Sequence, residues 1–122
     1  MPLDRRQKWR LTVRHASDVE HEEFDDLDTA IGEMRRRAEA VRAEGPLPPS
    51  SALRSFEPED QVHARLQISG RGLLRRPTAG IDVRGDGTLV AFRGTLAREQ
   101  LKPEAGTTPF DAVRETLLGR AR

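Results

Sequence analysis

Cysteine is absent from these 122 residues. That excludes disulfides, thiolate metal sites and cysteine nucleophiles, and it fits a reducing compartment. Aromatic residues are scarce, with one Trp and four Phe, and apolar residues reach only 35% against 34% charged, so a single domain over residues 1–122 with a thin core is expected. No apolar run approaches the roughly 18 residues that a bilayer span needs, and the charged start "MPLDRRQKWR" leads into no apolar signal segment. A cytoplasmic protein without membrane contact is expected. Lysine is nearly missing: of 21 basic residues only Lys8 and Lys102 are Lys. An arginine set of this kind suits bidentate recognition of carboxylate or phosphate, and it also fits the codon habits of a GC-rich genome. Net charge is +1, so the distribution of charge matters more than its sum.

Periodicity supplies the elements. "KWRLTVRH" alternates Trp9, Leu11 and Val13 with Arg10, Thr12 and Arg14, the pattern of a half-buried strand. An acidic stretch with seven carboxylates from Asp18 to Asp28 follows and reads as a solvated loop that also caps a helix. In that helix Leu27, Ile31, Met34, Ala38 and Val41 share one face, Asp25 or Asp26 is the N-cap, and Gly45-Pro46 is the stop. Residues 45–58, rich in Pro and Ser, read as an internal linker; the Pro46/Pro49 spacing lacks the flanking cation of a proline-groove ligand. "QVHARLQIS" is a second strand with Val62, Ala64, Leu66 and Ile68 on one side, and "TPFDAVRETLLGR" is a closing helix with Thr108 as N-cap and Pro109 at its first position.

Between them "IDVRGDGTLVAFRG" holds a Gly-Asp-Gly turn. A calcium loop counted from Asp82 fails, because Arg84 and Arg93 fall where ligands belong. An adhesion tripeptide needs export, which nothing here signals. The segment therefore reads as a hairpin. A two-residue Asp86-Gly87 loop sets Val83 against Val90 and Ile81 against Phe92, gathering these four on one face, whereas a shift by one sets Val83 against Leu89 and mixes the faces.

The expected fold is α+β, a two-layer sandwich: a four-stranded mixed sheet in the order β-α-β-β-β-α with both helices on one face. The first two strands are expected as parallel neighbours, and the first and fourth as edges open to homodimer pairing. This order resembles, in topology alone, that of ribosome hibernation factors, and its α-β-β-β-α portion resembles double-stranded RNA-binding domains. The residues carry no motif of either.

If the apolar sides of the strands meet the helices, the open face collects Arg10, Arg14, His63, Arg65, Arg84 and Arg93, offset by Asp82. Such a face can hold a polyanion or an acidic segment through charge-assisted hydrogen bonds, although it lacks the interleaved aromatics on which single-stranded bases stack. Arg71, Arg75 and Arg76 form a basic, Gly-containing loop that matches no phosphate-loop consensus. The carboxylates of the acidic stretch could take a metal together with His15 or His21, yet "HEEFD" from His21 to Asp25 is not the His-Glu-x-x-His pattern. No Gly-x-Ser-x-Gly elbow is present. These features lead to the expectation of a non-catalytic binding or accessory module for a polar or acidic protein partner, with no cofactor and no metal. An RNA- or ribosome-associated protein acting through the arginine face is the alternative.

Overall fold

The structure is a computed structural model that describes residues 8–46, 61–71, 77–95 and 98–119. It is an α+β arrangement of two helices on a six-stranded sheet. In chain order the elements are β1 (Lys8–His15), β2 (Asp18–Phe24), α1 (Leu27–Arg42), β3 (Val62–Arg71), β4 (Thr78–Arg84), β5 (Leu89–Arg93), β6 (Glu99–Gln100) and α2 (Pro109–Leu117). The strands lie in the order β2-β1-β3-β4-β5-β6, and every neighbouring pair is antiparallel.

Four expectations are corrected: the sheet has six strands rather than four, because β2 and the short β6 are added at its two edges, and three more follow from how the acidic stretch folds. The acidic stretch is largely a strand, β2, whose side chains are exposed except at Phe24. Because β2 turns the chain back before α1 begins, β1 and β3 meet antiparallel rather than in a parallel crossover, and the sheet is not mixed. The edges are therefore β2 and β6, while β1 and β5 lie inside the sheet. A strand so charged is invisible to hydrophobic alternation. Its carboxylates are also what discourages such an edge from pairing with another chain.

The helices form where their spacing dictates. Asp26 caps α1 by accepting a hydrogen bond from the Thr29 N–H, and Leu27, Ala30, Met34, Ala38 and Val41 are its buried residues. In α2 a complete capping box links Thr108 and Asp111, with Pro109 at the start and Phe110, Val113 and Leu117 buried. Both helices cover the same sheet face. Their apolar sides share one core with Trp9, Leu11 and Val13 of β1, Ala64, Leu66 and Ile68 of β3, Ala79, Ile81 and Val83 of β4, and Ala91 of β5. The ion pair of Arg114 with Asp28 at 2.7 Å and the Arg35 guanidinium 4.8 Å from the Phe110 ring centroid tie the helices to each other.

The β4–β5 register departs from the two-residue loop. Val83 pairs with Leu89, Asp82 with Val90, Ile81 with Ala91 and Gly80 with Phe92. The loop has three residues, Gly85-Asp86-Gly87. Gly87 donates its N–H to the Arg84 carbonyl at 2.8 Å with φ at +91, a conformation that favours glycine and closes hairpins of this length. Leu89 and Ala91 consequently face the helices, and Val90 and Phe92 face away. Two features make this register acceptable. Gly80 has no side chain to displace the Phe92 ring opposite it, and the guanidinium groups of Arg65 and Arg98 each lie 5.5 Å from that ring's centroid, so Phe92 is buried on the open face.

Candidate functional site

Strand alternation assigns the open face row by row. One row runs Val19, Arg14, Arg65, Asp82 and Val90; the next His21, Thr12, Gln67, Gly80, Phe92 and Gln100; a third Glu23, Arg10, Ser69 and Thr78. Of the six residues expected there, Arg10, Arg14 and Arg65 lie on this face, and Arg84 follows by alternation from Asp82. Much of the charge is answered in place. Arg10 pairs with Glu23 at 2.6 Å, Lys8 with Asp25 at 2.5 Å, and Arg65 makes a two-pronged contact with Asp82 at 2.6 and 2.9 Å. The Asp82 contact is half buried, and its hydrogen bond raises the Arg65 pKa above its ordinary value, against the opposing effect of burial. The sequence offers Asp82 as the lone offset; Glu23 of the neighbouring strand β2 and Asp25 just after it supply the others.

Arg93 and His63 leave the expected set. With the register shifted, Arg93 shares the face of Ile81 and Ala91, lies beside Thr116 of α2, and pairs with Glu99 at 2.9 Å. His63 is the additional residue of a β-bulge between Val62 and Ala64, where Val62 pairs with Arg84 but Ala64 with Val83. The bulge breaks the alternation of β3, exposes Val62, and turns His63 towards the end of α1. The backbone of Arg71 ends β3. Arg75 and Arg76, and most of the expected 45–58 linker, lie outside the described residues.

On this face Arg14 and Arg98 meet no carboxylate among the described residues. Arg98, which sequence reasoning did not single out, is held by the Phe92 ring. Arg14 sits directly across from Arg65 in the register.

A second group of side chains gathers at the rim of the sheet, at the C-terminal end of α1. Glu44, in the turn after the helix, has its Oε1 3.1 Å from Nε2 of His15 and 3.2 Å from Nε2 of His63. The two imidazole rings stand edge to face with centroids 5.2 Å apart. They line a groove of about 750 Å³ with Arg14, Ala16 and Arg65. His15 or His21 was expected to take a metal with the carboxylates of the acidic stretch; Glu44 and His63 join His15 instead, while His21 hydrogen-bonds to Thr12 at 3.0 Å on the open face. No sequence spacing links residues 15, 44 and 63; only the antiparallel pairing of β1 with β3 and the end of α1 brings them together. In the described residues no helix is long and apolar enough to cross a membrane. Compared with known protein families, with curated proteins and with solved structures, the chain finds no match.

Proposed function

We propose that the protein is a small binding module without catalysis, and that it takes an extended acidic segment of a protein partner across the open face of its sheet. What carries the reading is the pair of guanidinium groups, Arg14 and Arg98, that face solvent without a carboxylate among the described residues, on a face that neither α1 nor α2 covers. Arg98 is pre-ordered by its contact with Phe92, so less side-chain freedom is lost when it meets an anion. From β1 to β5 is three strand spacings, roughly 14 Å at ~4.8 Å each. An extended chain advances about the same distance in four residues. Carboxylates at i and i+4 of a partner segment would thus reach both guanidinium groups, with the Arg65–Asp82 pair between them.

A nucleic-acid backbone is the poorer fit. Phosphates need several free cations, whereas Arg10 and Arg65 are already paired and Glu23 and Asp25 border the face. Fluorescence anisotropy with a short labelled Glu-rich peptide and with a structured RNA hairpin tests the choice. The peptide is expected to bind, and Arg14→Glu with Arg98→Glu is expected to weaken it roughly tenfold. Tighter binding of the RNA with a steep salt dependence, or peptide binding that ignores both charge reversals, overturns the reading.

A further inference from the structure

We infer that His15, Glu44 and His63 form a binding site for a first-row divalent transition ion, with zinc the best match. The site is independent of whatever the open face binds. Two imidazoles and one carboxylate are a donor set that suits zinc and leaves a fourth position open. With ligand bonds near ~2.0 Å, donors around a tetrahedral ion stand roughly 3.3 Å apart. The Glu44 oxygen lies 3.1 and 3.2 Å from the two Nε2 atoms, and all three donor atoms fall within 4.8 Å of one another. An ion can therefore be seated by small side-chain rotations, without moving a strand.

Three independent features of the backbone converge on the trio. The bulge in β3 exists at His63 itself and turns a residue that regular alternation would place on the other face. Its side chain is only 11% exposed, so the imidazole is held rather than free in water. Ala16, which directly follows His15, is the one non-glycine residue with positive φ among the described residues, at +57, and it fixes the exit of the chain at that ligand. Glu44 comes just after the last turn of α1, where the helix carbonyls carry partial negative charge. A carboxylate there is disfavoured by the helix end, and a bound cation offsets both. Arg14 and Arg65 line the groove, but alternation carries their guanidinium groups to the opposite face of the sheet, and Arg65 is engaged by Asp82.

Calorimetric titration of the full chain with Zn²⁺ is expected to show one equivalent bound at micromolar affinity or tighter, with Mg²⁺ and Ca²⁺ unable to compete. Glu44→Gln and His15→Asn, both at the surface, keep the test usable even if His63→Asn impairs folding. Each of the three is expected to weaken Zn²⁺ by about 100-fold or more, whereas His21→Asn leaves it unchanged. Co²⁺ in place of Zn²⁺ is expected to give the intense visible absorption of a tetrahedral site, and to lose it in the same three variants. Retention of full Zn²⁺ affinity in Glu44→Gln and His15→Asn, equal displacement by Mg²⁺, or no binding to the folded wild-type chain would each overturn the site.

Discussion

The two tight hairpins of the sheet solve one geometrical problem in different ways. Both must reverse the chain through residues with positive φ. The β4–β5 hairpin assigns that task to Gly87, and Asp86 adds a hydrogen bond by accepting from the Thr88 N–H at 2.9 Å. The β1–β2 hairpin, with His15 opposite Asp18, has the two-residue loop Ala16-Ser17 and assigns the positive φ to an alanine. The first arrangement is relaxed and sits at the end of two packed strands. The second costs about 1–2 kcal/mol in a non-glycine residue, and it adjoins the trio of His15, Glu44 and His63. Strain next to chemically able side chains is a reason to look there, and a satisfied turn is not.

The difference between the two hairpins in packing should appear most strongly at Gly80. A Cβ at this position of β4 would lie 2.1 Å from the Leu66 carbonyl oxygen and 2.9 Å from the Gln67 Cα, both backbone atoms, and 2.8 Å from the Phe92 ring. Nothing there can yield cheaply. Gly80→Ala is expected to destabilise the protein by about 3 kcal/mol or more, a fall in Tm of roughly 10 °C or beyond. Glu22→Ala, in the exposed edge strand β2, is expected to stay within about 0.5 kcal/mol. Thermal melts of the two variants side by side check this, and equal effects would erase the contrast between a packed hairpin and an edge one.

The turn residues themselves come next. Gly87→Ala meets only the Arg42 Nε at 3.9 Å, so its cost is conformational, about 1 kcal/mol. Ala16→Gly is expected to act in the opposite sense and to stabilise by about 0.5–1 kcal/mol, since glycine relieves the backbone at φ +57 while adding freedom to the unfolded chain. Urea unfolding of both variants measures the two signs. A loss of stability in Ala16→Gly would mean that the β1–β2 turn is not strained.

The sequence reveals much of this fold wherever apolar periodicity carries the information. Trp9, Leu11 and Val13, the capped start of α2 and four of the five buried residues of α1 were legible, because burial leaves a period that can be counted; only at Ala30 does α1 bury a neighbour of the expected Ile31, which is partly buried. Beyond that rule the reading fails for identifiable reasons. Strand β2 is held by its pairing with β1 and by cross-strand and helix ion pairs such as Glu20 with Arg37 at 2.6 Å, none of which leaves a hydrophobic pattern. The β4–β5 register turned on whether Phe92 had to face the helices. A glycine opposite it and two arginines beside it gave the ring a second place to be buried. At the candidate site His15 was legible as a ligand type, but Glu44 and His63 were not legible as its companions, since an unforeseen bulge and an unforeseen antiparallel pairing create the proximity.

The smallest effect tests the relaxed hairpin through its charge. The N–H of Thr88, followed by the Thr88 hydroxyl, holds the Asp86 carboxyl below its ordinary value of 3.8, although the group is exposed. A carboxylate whose folded value is depressed adds stability that is present above its unfolded value, near pH ~4, and that is lost as pH falls through the lower folded value. Asp86→Asn removes this dependence and keeps an acceptor for the turn. Between neutral pH and about pH 4 the wild-type protein should therefore be slightly the more stable of the two, with the margin closing in stronger acid. An NMR titration of the Asp86 carboxyl should find its midpoint below that of the same carboxyl in a short unfolded peptide. If the two midpoints coincide, the Thr88 contact does not hold the charge in solution. The β4–β5 loop would then rest on Gly87 and its backbone hydrogen bonds without help from the Asp86 charge, which would bring it closer to the Ala16 turn than the structure implies.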